Sequence, residues 1–286
     1  MKKLLLAGLW LALSATASSA TLDRIKDRGE IRIGYRPATE PFSFENDQGQ
    51  PAGYSIELCQ RIAAAVKDEL KLKELKINYV PVSVKDRFSS VAKGNVDILC
   101  AATTITLSRM EMVDFTLMTF TTGGGVLSLA TKPVTTVSDL TGKTVAVVSE
   151  TTGAAALKSY LSDSFIDATV KNVKSSEEAR QMLDRGEVDA WADDQIVLIG
   201  QLMREGNPRD YTISQDLFSY EPYGLAVARG DPEFRLIADR ALARIYRSGQ
   251  FKALFEKWFA RSGIRPSPIL QAMYTLQALP DLSLIH

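Results

Sequence analysis

The chain has 286 residues, and its 34 basic and 34 acidic side chains give a formal net charge of zero at neutral pH. This balance argues against a nucleic-acid partner, which needs a basic face, and against binding to an anionic membrane surface. The only histidine is His286 at the end of the chain, which excludes a Ser-His-Asp or Cys-His catalytic arrangement and a histidine-rich zinc site.

The first twenty residues have the order of a secretory signal peptide. A positive start at Lys2 and Lys3 precedes an apolar stretch too short for a stable membrane-spanning helix, and Ser18-Ser19-Ala20 supplies small residues for cleavage. We therefore assign residues 1–20 to a signal peptide and expect the mature chain to begin near Thr21; the alternative is a short membrane anchor. Because no cysteine lies near the cleavage point, we expect an unanchored periplasmic protein.

Strand and helix patterns alternate along both halves of the chain. In the first half the periodicity predicts helices over 22–28, 56–70 and 85–93 and strands over 30–35, 77–80 and 96–100. In the second half it predicts strands over 144–148, 169–173, 188–191 and 223–228 and helices over 154–161, 176–185, 194–205, 232–247 and 250–259. Such alternation with short connections implies helices packed on mostly parallel sheets. We expect the tail beyond Pro266 to lie along the surface of a lobe.

A short internal echo links the two halves. Residues 93–98 and 185–190 both show a helix that ends at a glycine, Gly94 or Gly186, with a strand starting two residues later. Such joints are common in α/β proteins, but the order of elements on either side is also shared. We therefore predict two lobes of similar build, each with its own sheet.

Polar residues after the predicted strands are the candidates for a ligand site, since open α/β sheets bind ligands at the carboxyl ends of their strands. Thr104 and Arg109 follow the third strand and suit a carboxylate. Thr151 and Thr152 open a helix whose free N–H groups and positive dipole end attract an anion. The alternative for either threonine is a helix N-cap.

Two aspartates and two further arginines complete the set. Asp193 and Asp194 precede a helix, so one of them suits a helix cap and the other an ammonium group. Arg36 directly follows the first strand, and Arg87 lies in the third predicted helix; each either touches ligand or is solvated. Cationic groups on one side and an aspartate on the other predict a zwitterionic ligand, because breaking a buried charge pair costs about 3–5 kcal/mol.

The chain resembles family 3 of the bacterial solute-binding proteins, the periplasmic receptors of polar amino-acid ABC importers. The resemblance covers about residues 30–260, and its motifs occur in the family's order and spacing. They are Pro41-Phe42-Ser43-Phe44, Gly53-Tyr54-Ser55-Ile56-Glu57-Leu58, Gly94-Asn95-Val96-Asp97, Thr104-Ile105-Thr106 with Arg109, Asp114-Phe115-Thr116, Thr151-Thr152-Gly153 and Asp194.

The resemblance implies a two-lobed periplasmic binding protein type II fold. Each lobe would be a mixed, mostly parallel sheet flanked by helices, with two crossing strands as the hinge. Lobe 1 would comprise residues 21–120 plus 217–286, and lobe 2 residues 121–216. The ligand would be trapped by hinge closure and presented to a membrane ABC permease. We expect a monomer with no cofactor and no metal.

Residue roles follow from the same resemblance. Arg109 would bind the ligand α-carboxylate with help from Thr104 and Thr152, and Asp194 would bind the α-ammonium group. Receptors similar to glutamate/aspartate-binding proteins keep arginines at the positions of Arg36 and Arg87, which favours an acidic amino acid.

Two departures keep a polar neutral amino acid, such as glutamine or asparagine, as the alternative ligand. Ser176 stands where the glutamate/aspartate receptors have a histidine, and Ala102 stands where a serine commonly contacts the ligand.

Cys59 and Cys100 would lie in an oxidising compartment, so we expect a disulfide bond between them; the alternative is a pair of small buried hydrophobes.

Two other functions remain open. Some relatives are cyclohexadienyl dehydratases, for which Glu150 or Glu221 could donate a proton if its pKa were raised. A sensory or peptidoglycan-active role would need an additional domain, for which the chain has no room. We therefore expect a binding protein and not an enzyme.

Overall fold

The computed structural model describes residues 20–205, 207–260 and 263–281, so positions 1–19 of the predicted signal peptide lie outside the described residues. Nine α-helices and thirteen strands occur within these ranges, and we number them in chain order. None of these helices combines the length and apolar character needed to cross a membrane.

Five strands form the first sheet. Their spatial order is Lys76–Pro81 (β5), Glu30–Tyr35 (β1), Ile98–Leu99 (β6), Glu221–Ala228 (β13) and Val113–Thr122 (β7). β1 runs parallel to β5 and β6, whereas β13 is antiparallel to β6 and β7. The sheet is therefore mixed, and we call it and its helices the first lobe.

Helices cover both faces of the first sheet. One face carries the larger core, formed with Thr21–Arg28 (α1), Tyr54–Glu69 (α2), Pro232–Arg247 (α7), Gln250–Phe259 (α8) and Pro268–Leu276 (α9). The other face packs against Arg87–Ala92 (α3). The tail beyond Pro266, which we expected on the surface, contributes to the core of the first lobe. Tyr274 of α9 is buried, and its hydroxyl lies 2.8 Å from that of Tyr54.

The second sheet has the same number of strands and the same mixed character. Its order is Thr169–Val173 (β10), Thr144–Val148 (β9), Ala190–Asp194 (β11), Gly124–Leu129 (β8) and Tyr211–Ile213 (β12). β9 runs parallel to β10 and β11, whereas β8 is antiparallel to β11 and β12. The helices Thr152–Asp163 (α4), Ser176–Asp184 (α5) and Gln195–Glu205 (α6) pack on it and complete the second lobe.

Two connections join the lobes. β7 ends in the first sheet at Thr122, and β8 begins in the second sheet at Gly124; the chain returns to the first sheet at Glu221. The crossing segments touch, since Glu221 pairs with Thr122 and the Gly124 N–H donates to the Ser219 Oγ at 2.9 Å. The two-lobed fold with crossing strands is thus confirmed, while the residue limits of the lobes stay a prediction.

The internal echo extends to side-chain hydrogen bonds. Gly94 and Gly186 both have φ of +68°, the left-handed conformation expected where a helix ends. Asp97 then accepts the backbone N–H of Arg32 at 2.8 Å, and Asp189 accepts that of Thr144 at 2.9 Å. An aspartate thus fastens the same pair of strands in each lobe.

Several elements differ from their predicted bounds. The strand predicted at 96–100 is reduced to Ile98–Leu99, because Asp97 uses its side chain and N–H to bind the backbone of Arg32. The strand predicted at 188–191 extends to Asp194, since β8 pairs with it through both aspartates. The periodicity missed β7, β8, β12 and a small sheet of Ala38–Thr39 (β2), Ser43–Glu45 (β3) and Pro51–Ala52 (β4).

Cys59 of α2 and Cys100, directly after β6, form a disulfide bond. Both residues are fully buried in the core of the first lobe. The predicted bridge is confirmed.

Candidate functional site

A small cavity of about 50 Å³ lies between the two lobes, where the carboxyl ends of β1, β6, β9 and β11 converge. The structure brings all seven predicted ligand-binding residues to its wall. The lining comprises Arg36, Thr39, Arg87, Ala102, Thr104, Arg109, Val147, Val148, Thr151, Thr152, Gly153, Ser176, Ala192, Asp193, Asp194 and Val197.

Arg109 is held by its own chain segment. Its Nη1 donates to the carbonyl oxygen of Thr104 at 2.7 Å, and its backbone N–H donates to the Oγ1 of Thr106 at 3.1 Å. Burial lowers the pKa of Arg109, partly offset by the charges of Glu221 and Asp194. The remaining guanidinium donors are available for a bidentate contact with a carboxylate.

Phe88 lies between two of the arginines. The guanidinium carbon of Arg87 is 4.7 Å from the centre of its ring, and that of Arg109 is 5.1 Å away. Both distances are in the range of a cation–π interaction. Burial, then repulsion by Arg109 and Arg36, lowers the pKa of Arg87 to about 9, so it remains cationic at neutral pH.

Thr104 and Thr152 face each other across the cleft. Both hydroxyls donate to the Oε2 of Glu221, at 2.5 and 2.8 Å, and the Ser219 Oγ donates to its Oε1 at 2.8 Å. Glu221 is almost fully buried. The Glu221 carboxylate therefore links Thr104 of the first lobe and Thr152 of the second lobe to the hinge.

Thr151 has a structural role. Its hydroxyl accepts the N–H of Ala154 at 3.0 Å and donates to the carbonyl of Val148 at 2.8 Å. Thr151 thus caps α4, while Thr152 directs its hydroxyl across the cleft. The N-terminus of α4 adds the positive end of its dipole to the cavity wall.

Asp193 and Asp194 end β11 and point to different partners. Asp194 accepts a short hydrogen bond from the hydroxyl of Tyr223. Asp193 accepts the Ser176 Oγ at 2.9 Å and the backbone N–H of Asp194 at 2.8 Å. Burial, reinforced by the charges of Glu221 and Asp193, raises the pKa of Asp194 well above its ordinary value.

Arg36 faces the Asp193 side of the cavity. Its backbone is fixed by Ser43, whose Oγ accepts the Arg36 N–H at 2.8 Å and donates to its carbonyl at 3.0 Å. Burial lowers the pKa of Arg36, whereas the charge of Asp193 raises it. The cavity wall thus combines three guanidinium groups with the carboxylates of Asp193 and Asp194, a pattern that suits a ligand carrying both charges.

A comparison with known protein families identifies the family of this chain. The family model of the bacterial extracellular solute-binding proteins, family 3, matches residues 31–261. The chain belongs to this family.

Two relatives extend the comparison. The L-glutamate/L-aspartate-binding protein of Pseudomonas aeruginosa is 34% identical over 244 residues, covering 85% of this chain and 81% of the relative. The glutamate/aspartate import solute-binding protein of Escherichia coli is 28% identical over 246 residues, covering 86% and 82%. As a family-3 protein, this chain is the solute-binding component of an amino-acid ABC transporter.

Solved structures agree on the fold. A mutant of ArgBP from T. maritima superposes with a TM-score of 0.73 at 27% identity, covering 84% of this chain and 99% of that chain.

Sequence reasoning left out several parts of the family-3 site. Phe88 follows Arg87 directly, but nothing in the sequence shows that Arg109 shares its ring. Tyr223 lies in the return strand, and its approach to Asp194 depends on the hinge crossing. Glu221 was considered only as a proton donor, and its contact with Thr104 depends on the same crossing. Glu150, considered as a proton donor, is exposed, and its carbonyl accepts from Arg87 at 3.5 Å.

Proposed function

We propose that this family-3 protein binds an acidic amino acid, glutamate or aspartate, in the periplasm and delivers it to a membrane ABC permease. The observation that carries the proposal is the charge of the cavity wall: Arg36, Arg87 and Arg109 against Asp193 and Asp194. An acidic amino acid has the mirror pattern, with two carboxylates and one ammonium group. The names of the relatives from P. aeruginosa and E. coli support the same ligand class.

Each ligand group has a partner of opposite charge in this proposal. Arg109 and the N–H groups at the N-terminus of α4 bind the α-carboxylate, and the Thr104 and Thr152 hydroxyls turn from Glu221 toward it on binding. Asp194 binds the α-ammonium group, whose charge would offset the burial that raises the pKa of this aspartate. Arg36 and Arg87 bind the side-chain carboxylate.

Hinge closure would trap the ligand between these groups. The carboxylate partners lie on both lobes, with Thr104 and Arg109 on the first and Thr152 on the second. A ligand that bridges them favours the closed form in proportion to its stronger binding there. Only that form would be presented to the permease.

The decisive experiment is thermal denaturation of refolded, ligand-free protein against each common amino acid. A ligand at about 1,000 times its Kd adds about 4 kcal/mol to the free energy of unfolding. We expect the largest rise in Tm with glutamate or aspartate. If no amino acid raises Tm, the proposal is wrong.

Arg36→Ala tests the assignment of the side-chain carboxylate. Losing its cation should weaken glutamate binding strongly and glutamine binding little, measured by calorimetry for both ligands. Arg185→Ala removes an exposed arginine paired with Glu187 and is the matched control. An equal loss for glutamate and glutamine would contradict the assignment.

A polar neutral amino acid is the second candidate, and one observation favours it. The Asp193 carboxylate and the Ser176 hydroxyl both line the side-chain end of the cavity. Their oxygens are acceptors that suit the –NH2 of glutamine or asparagine. A larger Tm rise with these amides than with glutamate would favour this ligand class.

We also propose that the protein is not catalytic. A cyclohexadienyl dehydratase needs a protonated carboxyl group aimed at its substrate. Glu221 instead accepts hydrogen bonds from three hydroxyls of the cleft and hinge. Incubation with prephenate or arogenate should give no absorbance of an aromatic product, and a time-dependent rise in that absorbance would overturn this proposal.

A further inference from the structure

Asp193 has an unusual place for an acidic residue in a site that takes an anionic side chain. Its Oδ2 accepts from the Ser176 Oγ, and its Oδ1 accepts from the Asp194 N–H. Ser176 begins α5 and is itself buried. These two bonds fix the carboxylate at the end of β11 in the second lobe, whereas Arg36 follows β1 in the first lobe.

The charges around Asp193 come from several elements. Arg36, after β1, attracts it, whereas Glu221 at the start of β13 repels it. Asp194, its neighbour in the chain, is a second buried carboxylate. Arg87 and Arg109 also line the cavity and, like Arg36, belong to the first lobe. Among the described residues, Asp193 therefore has one nearby cation, Arg36, and two neighbouring carboxylates.

A ligand carboxylate beside Arg36 would change this balance. It would compete with Asp193 for the same guanidinium and bring two negative charges together in a closed cavity. Two carboxylates at close range in a buried site do not both ionise; one of them keeps a proton. Burial already raises the pKa of Asp193, so this residue is the better holder of that proton.

We infer that Asp193 takes up one proton from solvent when an acidic amino acid binds, which couples binding of glutamate, but not of glutamine, to pH. The inference rests on the proposed function, because it places the ligand's side-chain carboxylate beside Arg36. Glutamine has no side-chain carboxylate, so its binding leaves the protonation state of Asp193 unchanged. Asp193 thereby sets the pH range in which an acidic ligand is preferred over its amide.

The direction of the pH effect follows from this linkage. At low pH Asp193 is already protonated, so it adds no pH dependence to the ratio of the glutamate Kd to the glutamine Kd. At higher pH, where Asp193 is ionised in the free protein and protonated in the glutamate complex, that ratio rises up to about tenfold per pH unit. The Kd for glutamine follows a flatter profile.

The test is calorimetry of the refolded mature protein with glutamate and with glutamine. Titrations in buffers of different ionisation enthalpy, at pH values between about 5 and 9, count the protons taken up per ligand. Any proton exchange caused by the α-ammonium group at Asp194 is common to both ligands and cancels in the difference. We expect glutamate to take up about one proton more than glutamine.

Two variants assign that proton. Asp193→Asn should abolish the difference in proton uptake and keep the ratio of the glutamate Kd to the glutamine Kd constant as pH rises. Ser176→Ala removes a hydrogen bond that favours the ionised form, so its glutamate profile should stay flat to a higher pH. Glu187→Gln changes an exposed carboxylate of the second lobe and is the control.

The outcomes separate this inference from the proposed function. Equal proton uptake with both ligands, or a difference that persists in Asp193→Asn, overturns the inference while glutamate binding stands. If Asp193→Asn does not fold, an unshifted glutamate profile in Ser176→Ala overturns it instead. Absence of glutamate binding at every pH overturns the proposed function itself.

Discussion

Two guanidinium groups at the cavity wall, those of Arg87 and Arg109, share one aromatic ring. Arg87 and Arg109 repel each other, and burial adds a further cost to both charges. The π-face of Phe88 offsets part of that cost, about 0.5–2 kcal/mol for each cation. Both guanidinium groups therefore stay charged and in position without a ligand, and an anion can bind them without first rearranging the cavity.

Arg109→Ala should abolish binding of every amino acid, because all of them carry the α-carboxylate. Breaking a buried charge pair costs about 3–5 kcal/mol, more than about a hundredfold in Kd. Arg109→Lys should recover little, since an ammonium does not reproduce the planar bidentate contact. Calorimetry with glutamate and glutamine measures both losses against Arg185→Ala. A change in Kd below about tenfold for either ligand would contradict the role of Arg109.

The seven candidate residues could be predicted because they follow strand ends or match family motifs. The role of each residue, structural or directed across the cleft, could not be predicted. Thr151 and Thr152 are adjacent and chemically identical, yet one hydroxyl caps α4 and the other crosses to Glu221. That difference depends on the direction in which each side chain leaves the backbone. It also depends on the second lobe lying against the first, which no local pattern records.

At the scale of the helix, the Thr151–Thr152 pair separates stability from binding. Thr151→Ala removes the N-cap and should lower the free energy of unfolding by about 1 kcal/mol. Thr152→Val keeps the cap and removes the hydrogen bonds to Thr104 and Glu221. We expect it to weaken glutamate binding about tenfold or more, whereas Thr151→Ala should leave glutamate binding nearly unchanged. Urea unfolding and calorimetry on both variants test this, and a reversed pattern would show that the roles are exchanged.

The strands that the periodicity missed share a physical cause. β7 pairs with β13 through register shifts near Gly224, and such bulges break the two-residue alternation that marks a strand. β2, β3 and β4 have only two or three residues, too few for a periodic signal. By contrast, β1, β9 and β10 are regular parallel strands, and their predicted bounds agree with the structure. Periodicity alone predicted the regular elements, whereas the crossing strands of the hinge were expected only from the family resemblance.

The disulfide connects two elements of the first lobe, α2 and the end of β6. It closes a loop over 41 residues of sequence separation, which restricts the unfolded chain by about 4 kcal/mol. The double variant Cys59→Ala, Cys100→Ala should lower the free energy of unfolding by about 2–5 kcal/mol. Urea unfolding of the oxidised protein, the reduced protein and the variant measures this. If reduction destabilises the variant as much as the wild type, the effect does not come from this bond.

For the whole molecule, closure is supported by contacts outside the ligand cavity. Glu40 of the first lobe is buried and accepts hydrogen bonds from Gln201 and Arg204 of α6 in the second lobe. Opening would expose Glu40 and separate these partners. The closed form therefore has ligand-independent support, and the ligand has to supply only the remaining free energy of closure.

The two lobes approach each other closely at Gly200. A Cβ at this position would lie 2.6 Å from the carbonyl oxygen of Glu40 and 2.8 Å from the Cδ of Pro41. Gly200 lies in the middle of α6, where glycine costs about 1 kcal/mol relative to alanine. The close approach, and not the helix, therefore explains the glycine.

Gly200→Ala should accordingly raise the stability of α6 and hinder closure. We expect an unchanged or higher Tm without ligand, at least about tenfold weaker glutamate binding, and a larger radius of gyration in saturating glutamate. Ser159→Ala, on the exposed face of α4, improves helix propensity away from the lobe contact and should leave affinity unchanged. Calorimetry, thermal denaturation and small-angle scattering measure the three quantities. Wild-type affinity in Gly200→Ala would mean that the ligand-bound protein does not need this contact, and that closure is set at the cavity and hinge alone.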